Sequence, residues 1–179
     1  MEIVLLAGNS VKNKIWIEAV EKTVQSLFDQ TQILYYEHWK LEQKDALIDI
    51  KKETEKLVKL INKNQRVYIF AKSVGCLVAL TAIRDQKIMP KGCCFVGLPV
   101  NWSRANNIPI VHLLEKYSVP TIFLQKTQDP AIGCKELKVL LKEQEVKNDS
   151  VIEVPGNNHE YDDMQQIYKA IEQMMQIND

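Results

Sequence analysis

Charge of one sign is missing from this sequence: 23 Lys and Arg are matched by 23 Asp and Glu, for a formal net charge of +0. There is no global basic field to recruit nucleic acid and no acidic tail for a basic partner. Long apolar runs are missing too. Ile3-Val4-Leu5-Leu6-Ala7-Gly8 is too short to span a bilayer, and Glu2 before it leaves no basic segment of a signal peptide. No membrane partner is expected. The four cysteines, Cys76, Cys93, Cys94 and Cys134, show no metal spacing, so neither metal nor cofactor is expected. Three of them fall in apolar runs and read as buried free thiols, which fits a reducing cytoplasm. Internal repeats, low-complexity tracts and linkers are absent. What remains is a 179-residue chain, 46% hydrophobic and 26% charged, read as one domain over residues 1–179.

Short apolar runs alternate with helical periodicity. Ile3 to Ala7, Ile33 to Tyr36, Val67 to Ala71, Cys93 to Leu98, Pro120 to Leu124 and Val151 to Val154 read as strands. Between them, Trp16, Val20, Val24, Leu27 and Phe28 mark one helix. Leu47, Ile50, Leu57, Val58 and Ile61 mark a second, starting from Asp45. Leu137, Val139, Leu140 and Leu141 mark another, and Tyr161, Met164, Ile167, Tyr168, Ile171, Met174 and Met175 mark the last. Residues 99–118 read as an irregular flap with a short helix around Val111 to Lys116. Strands apolar throughout, alternating with helices, predict an α/β fold: a three-layer α/β/α sandwich around a mostly parallel six-stranded sheet.

The stretch from Val67 to Ile83 is the most informative. A buried strand passes through Ala71-Lys72-Ser73-Val74-Gly75 directly into an apolar helix. Such a turn can hold a hydroxyl exposed at the sheet's tip, with free helix N–H groups behind it. The pattern is one residue from Gly-x-Ser-x-Gly, with Ala71 in place of the first glycine. A helix-capping serine is the plain alternative. Asp129 follows the fifth strand and His159 the sixth, so all three polar residues lie at carboxyl ends of strands, where open α/β sheets gather function. A turn-forming Asp129 before Pro130 and a surface His159 are the corresponding plain readings. His38 is a rival base, and His112 is expected to face solvent or line a pocket.

In the order Ser, Asp, His the chain resembles an α/β-hydrolase, nearest to the compact, cap-poor branch that includes dienelactone-hydrolase-like proteins. The likeness runs nearly end to end, through Ile3 to Ser10, Phe70 to Gly75, Gly97-Leu98-Pro99, Val119 to Pro130, and Pro155 to His159. It departs at Ala71 and Lys126, where glycines are common, and at Gly8, which has no histidine before it. Dienelactone hydrolases carry a cysteine nucleophile, so Ser73 argues against that reaction. The resemblance implies a minimal α/β-hydrolase fold and a serine esterase or thioesterase, and the short 99–118 flap leads us to expect an open, shallow site for a small or extended acyl substrate. Ser73 would be the nucleophile, His159 the base and Asp129 the residue orienting it, with Val74 and Asn9 N–H groups as the oxyanion hole. A silent binding protein on the same fold and an acyltransferase are the alternatives. Leu98 and Trp102 are expected to contact substrate, with Trp16 or Trp39 as further walls. Lys72 is expected to be solvated, attraction of an anion being its alternative role.

Overall fold

The computed structural model describes residues 1–40, 47–61 and 66–177. Among them six strands form one sheet, every neighbouring pair parallel: β1 (Glu2–Leu6), β2 (Gln30–Ile33), β3 (Val67–Lys72), β4 (Gly92–Val96), β5 (Thr121–Lys126) and β6 (Asp149–Val154). Their spatial order is β2-β1-β3-β4-β5-β6. The chain thus leaves β1 in one direction to make β2, then returns to β1's other side for β3. A reversal of this kind opens a crevice beyond the carboxyl ends of β1 and β3.

Strand alternation divides the apolar residues between two cores. Val4, Leu6, Ile69, Ala71, Cys93, Phe95 and Phe123 face one layer, and Ile3, Leu5, Tyr68, Phe70, Cys94, Val96 and Ile122 the other. The second layer is made by α1 (Asn13–Val24) and α7 (Met164–Gln176), whose Ile17, Val20, Ile167 and Ile171 are fully buried. The first is made by α2 (Ile50–Leu60), α3 (Val74–Arg84) and α6 (Cys134–Glu143), with two short helices, α4 (Val100–Ala105) and α5 (Ile110–Leu114). α3 is apolar nearly all round because it is covered on all sides: Leu77, Val78, Ala79 and Leu80 are each 0% exposed. All four cysteines are buried free thiols, and burial pushes the Cys93 thiol up to about 12.

Several expectations need correcting. The second strand is Gln30–Ile33 rather than 33–36, because this edge strand takes its register from β1, Glu2 facing Gln30 and Leu5 facing Ile33. Leu34 and Tyr36 beyond it turn into the core, and Tyr36 donates to the Ala7 carbonyl at 2.8 Å. α2 starts at Ile50, capped by Asp49, whose side chain accepts from the Lys52 N–H at 3.0 Å, and Leu47 is exposed. The expected start at Asp45 lies outside the described residues. Val139 is also exposed, on the outer side of α6. Residues 99–118 hold two helices instead of one, each preceded by a proline, Pro99 or Pro109, at its N-cap position. Their Val100, Ile110 and Leu114 are buried in the core. No helix among the described residues is long and apolar enough to cross a membrane.

Candidate active site

Ser73 sits between β3 and α3 with φ 53° and ψ −124°, a backbone conformation that L-residues adopt only when the surroundings impose it. Its N–H continues the sheet by donating to the Val96 carbonyl at 2.9 Å, and its carbonyl accepts from Cys76 N–H at 2.8 Å. Held at both ends, the residue occupies the cap position of α3 but makes no side-chain cap. Gly75 permits the sharp exit. A Cβ there would lie 2.7 Å from the Ala7 carbonyl oxygen and 2.9 Å from Leu6 Cβ, closer than real contacts allow. Ala71, in β3 two residues before Ser73, is accommodated in the core at 0% exposure.

The Ser73 hydroxyl meets His159 instead, with Oγ 2.9 Å from Nε2. His159 Nδ1 lies 2.9 Å from both Asp129 carboxylate oxygens. A carboxylate can only accept, so the proton is on Nδ1 and the Nε2 lone pair faces the serine. Asp129 is itself strongly held: Oδ1 also accepts the Ala131 N–H at 2.8 Å and Oδ2 the Tyr161 hydroxyl at 2.7 Å. Burial pushes the Asp129 carboxyl up, but hydrogen bonds from His159 and Tyr161, the His159 charge and the Ala131 N–H outweigh it and leave its pKa lowered.

Tyr161 was expected on the inner face of the last helix. It precedes α7, which Asp163 caps by accepting the N–H groups of Gln165 and Gln166. The tyrosine is 4% exposed and its ring meets the His159 ring edge-on, 6.2 Å between centroids. Its hydroxyl accepts from Lys126 N–H at 3.0 Å, and its carbonyl accepts the Trp16 indole N–H at 2.8 Å. The Asp163-x-x-Gln166 spacing is a helix-start pattern that would have put Tyr161 outside the helix. Gly97, at φ 60°, leaves room for both rings: a Cβ there would lie 2.8 Å from Tyr161 Cε2 and 2.9 Å from His159 Cε1. Buried Gln125 ties the surrounding loops, accepting from Leu98 N–H at 3.0 Å and donating to the Ile132 carbonyl at 2.8 Å.

These residues open onto a cleft of about 680 Å³ lined by Gly8, Asn9, Ser73, Val74 and His159 among others. Val74 is the first residue of α3, where N–H groups have no intrahelical acceptor. Asn9 is fixed from behind. Its carbonyl is 2.7 Å from His38 Nε2 and accepts the Trp39 indole N–H at 2.9 Å, while its side-chain Oδ1 accepts Ile48 N–H at 2.8 Å. His38 is therefore bound to the loop after β1, while His159 takes the Ser73 hydroxyl, and Trp39 serves the same loop instead of forming a wall. His112 faces solvent beside Glu115.

Trp16, Trp102, Pro99, Pro130 and Ala131 also line the cleft. Leu98 does not: it is 1% exposed and belongs to the core, with Pro99 taking its expected place. Lys72 is not solvated. It is 7% exposed, lines the cleft, and holds its ammonium 4.5 Å from the centroid of the Trp16 ring. Among the described residues no group of three or more His, Cys, Asp or Glu is placed to hold a metal ion.

The chain has the α/β-hydrolase fold. It superposes on Est1E from Butyrivibrio proteoclasticus, solved with ferulic acid bound, with a TM-score of 0.73 and 15% identity over 99% of this chain and 88% of that one. For α/β hydrolase domain-containing protein 10 from mouse the TM-score is 0.72, at 13% identity over 98% and 89%. A protein from Bacillus cereus ATCC 10987 matches with a TM-score of 0.73 and 19% identity, and this chain spans 60% of its length. No protein-family model matches the sequence, and no curated protein matches it.

Proposed function

We propose that the protein is a serine hydrolase that cleaves an ester or thioester through an acyl-Ser73 intermediate. The observation that carries this reading is the bridging imidazole of His159, 2.9 Å from Ser73 Oγ on one side and 2.9 Å from Asp129 on the other. A serine hydroxyl is a weak nucleophile near neutral pH and needs a base at hydrogen-bond distance. His159 Nε2 takes the Ser73 proton as Oγ attacks the acyl carbonyl. Asp129, ionised and accepting from Nδ1, stabilises the imidazolium. The oxyanion develops against the N–H groups of Val74 and Asn9; one such donor is worth about 3–4 kcal/mol in the barrier. His159 then protonates the leaving group, and a water activated by the same imidazole releases the acid. That Est1E was solved with ferulic acid, an aromatic acid, in place agrees with an acyl substrate.

The test is a fluorophosphonate probe read by intact-protein mass on wild type and Ser73→Ala, followed by a panel of short- and long-chain esters. Addition to the wild type alone, with turnover lost in Ser73→Ala, is expected. A folded wild type that takes up no probe would leave a binding protein with a silent site. Acyl transfer shares every step up to the intermediate, and competing alcohols or amines among the products separate it from hydrolysis.

A further inference from the structure

Lys72 is a buried cation beside the proposed nucleophile, and none of its hydrogen-bond or ion-pair partners among the described residues is a carboxylate. Its ammonium has three donors; one reaches the neutral Asn13 Oδ1 at 3.2 Å. The Trp16 ring face takes part of its charge at 4.5 Å. Strand parity explains the placement, because Lys72 ends the row Tyr68, Phe70, Lys72 on the face of β3 covered by α1, and Trp16 stacks on Phe70. A lysine kept for its stem alone would extend its head into water, whereas this one is 7% exposed. Burial lowers its pKa, helped by the repulsion of Lys126 and opposed by the attraction of Asp162, Glu160 and Asp129; Asp129 already shares its charge with His159, Tyr161 and the Ala131 N–H.

A second feature of the same wall favours negative charge. Ser10, Lys12, Asn13 and Trp16 line the cleft at the start of α1. That helix has no acidic residue in its first turn, so no side-chain charge opposes its positive end, although its first N–H groups are taken: Lys12 N–H by Ser10 Oγ at 3.3 Å, Asn13 N–H by the Ser10 carbonyl at 2.9 Å and Lys14 N–H by the Val11 carbonyl at 3.0 Å. Glu160 and Asp162 on the cleft's rim are exposed and therefore screened by salt, which a buried ammonium is not. Pro99, Trp102, Pro130 and Ala131 supply a less polar wall for the rest of the substrate.

We propose that the Lys72 wall binds an anionic group of the substrate, a carboxylate within a few bonds of the acyl carbonyl that Ser73 attacks. This rests on the acyl-serine reading and narrows its substrate class to ester or thioester monoanions. The carboxylate can belong to the acyl chain or to the leaving group.

The experiment compares two matched pairs: para-nitrophenyl hydrogen adipate with its methyl ester, and meta-acetoxybenzoate with its methyl ester. Release of the phenol is followed for wild type, Lys72→Met and Lys72→Arg, and fluorophosphonate addition is measured on the same samples. A charge-assisted hydrogen bond predicts that wild type favours the anionic member by about 10-fold or more in kcat/KM in at least one pair. The pair that shows it identifies which side carries the carboxylate. The ratio should fall to about 1 in Lys72→Met, and Lys72→Arg should keep it above 1. A wild-type ratio near 1 in both pairs, with Ser73 labelled, overturns this inference and leaves the acyl-serine reading standing. A preference that survives unchanged in Lys72→Met overturns it equally. Absence of label on the folded wild type overturns the acyl-serine reading and this inference with it.

Discussion

Tyr161 donates its hydroxyl proton to Asp129 Oδ2 at 2.7 Å, on the same carboxylate that receives His159 Nδ1–H. The tyrosine also accepts from Lys126 N–H at the end of β5. It therefore joins the strand that delivers the carboxylate to the loop that delivers the imidazole, and links both to Trp16 of α1 through its own carbonyl.

Tyr161→Phe keeps the ring against His159 but removes both hydroxyl bonds, leaving a buried carboxylate and a backbone N–H short of a partner. A hydrogen bond to a charged group contributes about 1.5–3 kcal/mol, so stability should fall by roughly that amount. Well below the melting temperature, kcat should fall about tenfold with KM little changed, as expected of a group that holds geometry rather than substrate. Urea melts and steady-state kinetics on one ester check both. A rise in KM with kcat unchanged would show that the hydroxyl's bonds shape the cleft rather than hold the Asp129–His159 pair.

The depressed pKa of Asp129 makes stability depend on pH with a definite sign. Its folded value lies below the ordinary 3.8. Its contribution is therefore fully present above that ordinary value and is lost as pH falls through the folded one. Urea midpoints measured from pH 7 down to pH 2 should hold steady and then drop below about pH 4. The drop should be shallower in Tyr161→Phe, where the carboxylate has one stabilising donor fewer. Identical slopes in the two proteins would remove Tyr161 from the causes of the shift.

Gly97→Ala tests the space behind the imidazole. The added methyl would meet Tyr161 and His159 below 3.0 Å and would sit at φ 60°. Either ring must move, and a displacement of about 1 Å at a reacting group can cost about 100-fold in rate. We expect kcat/KM to drop by that order, with a stability loss of about 1–3 kcal/mol from the strained backbone. Activity within a fewfold of wild type would mean that the histidine loop relaxes freely.

His159 was legible from the Pro155-Gly156 turn that ends β6, a partly exposed edge strand, and Ser73 and Asp129 because each follows an apolar strand cut short by small or turn-forming residues. Buried parallel strands have to look like that, and their ends share one edge of the sheet. Tyr161 was not legible from periodicity, since it stands three residues before Met164 and seven before Tyr168, as a helix face would require. Only the capping pattern at Asp163 distinguishes the two. Leu98 and Lys72 were misplaced for a related reason. A residue just past or at the end of a strand points into the core or into the cleft according to strand parity and the layer packed there. Neither is known until the sheet order is. Likewise His38 and Trp39 follow β2, an edge strand, and their reach to Asn9 depends on β2 lying beside β1.

That reach yields the last prediction. The Asn9 carbonyl is anchored by the Trp39 indole N–H and by His38 Nε2, which sets the plane of the peptide after Asn9 and the course of the loop facing Ser73. Trp39→Phe keeps an aromatic ring beside Tyr36, whose ring centroid lies 4.8 Å from that of Trp39, and removes the N–H together with the second ring of the indole. If this loop presents an oxyanion donor, the donor stays present but is less well aimed. The loss should then be smaller than the roughly 100- to 1,000-fold seen when such a donor is deleted. We expect about a tenfold fall in kcat, little change in KM, and slower fluorophosphonate addition to Ser73, since the probe's phosphonyl oxygen develops charge in the same place. Unchanged labelling and kcat in a variant of normal stability would show that the loop after β1 does not supply the donor, leaving Val74 N–H with a different second partner.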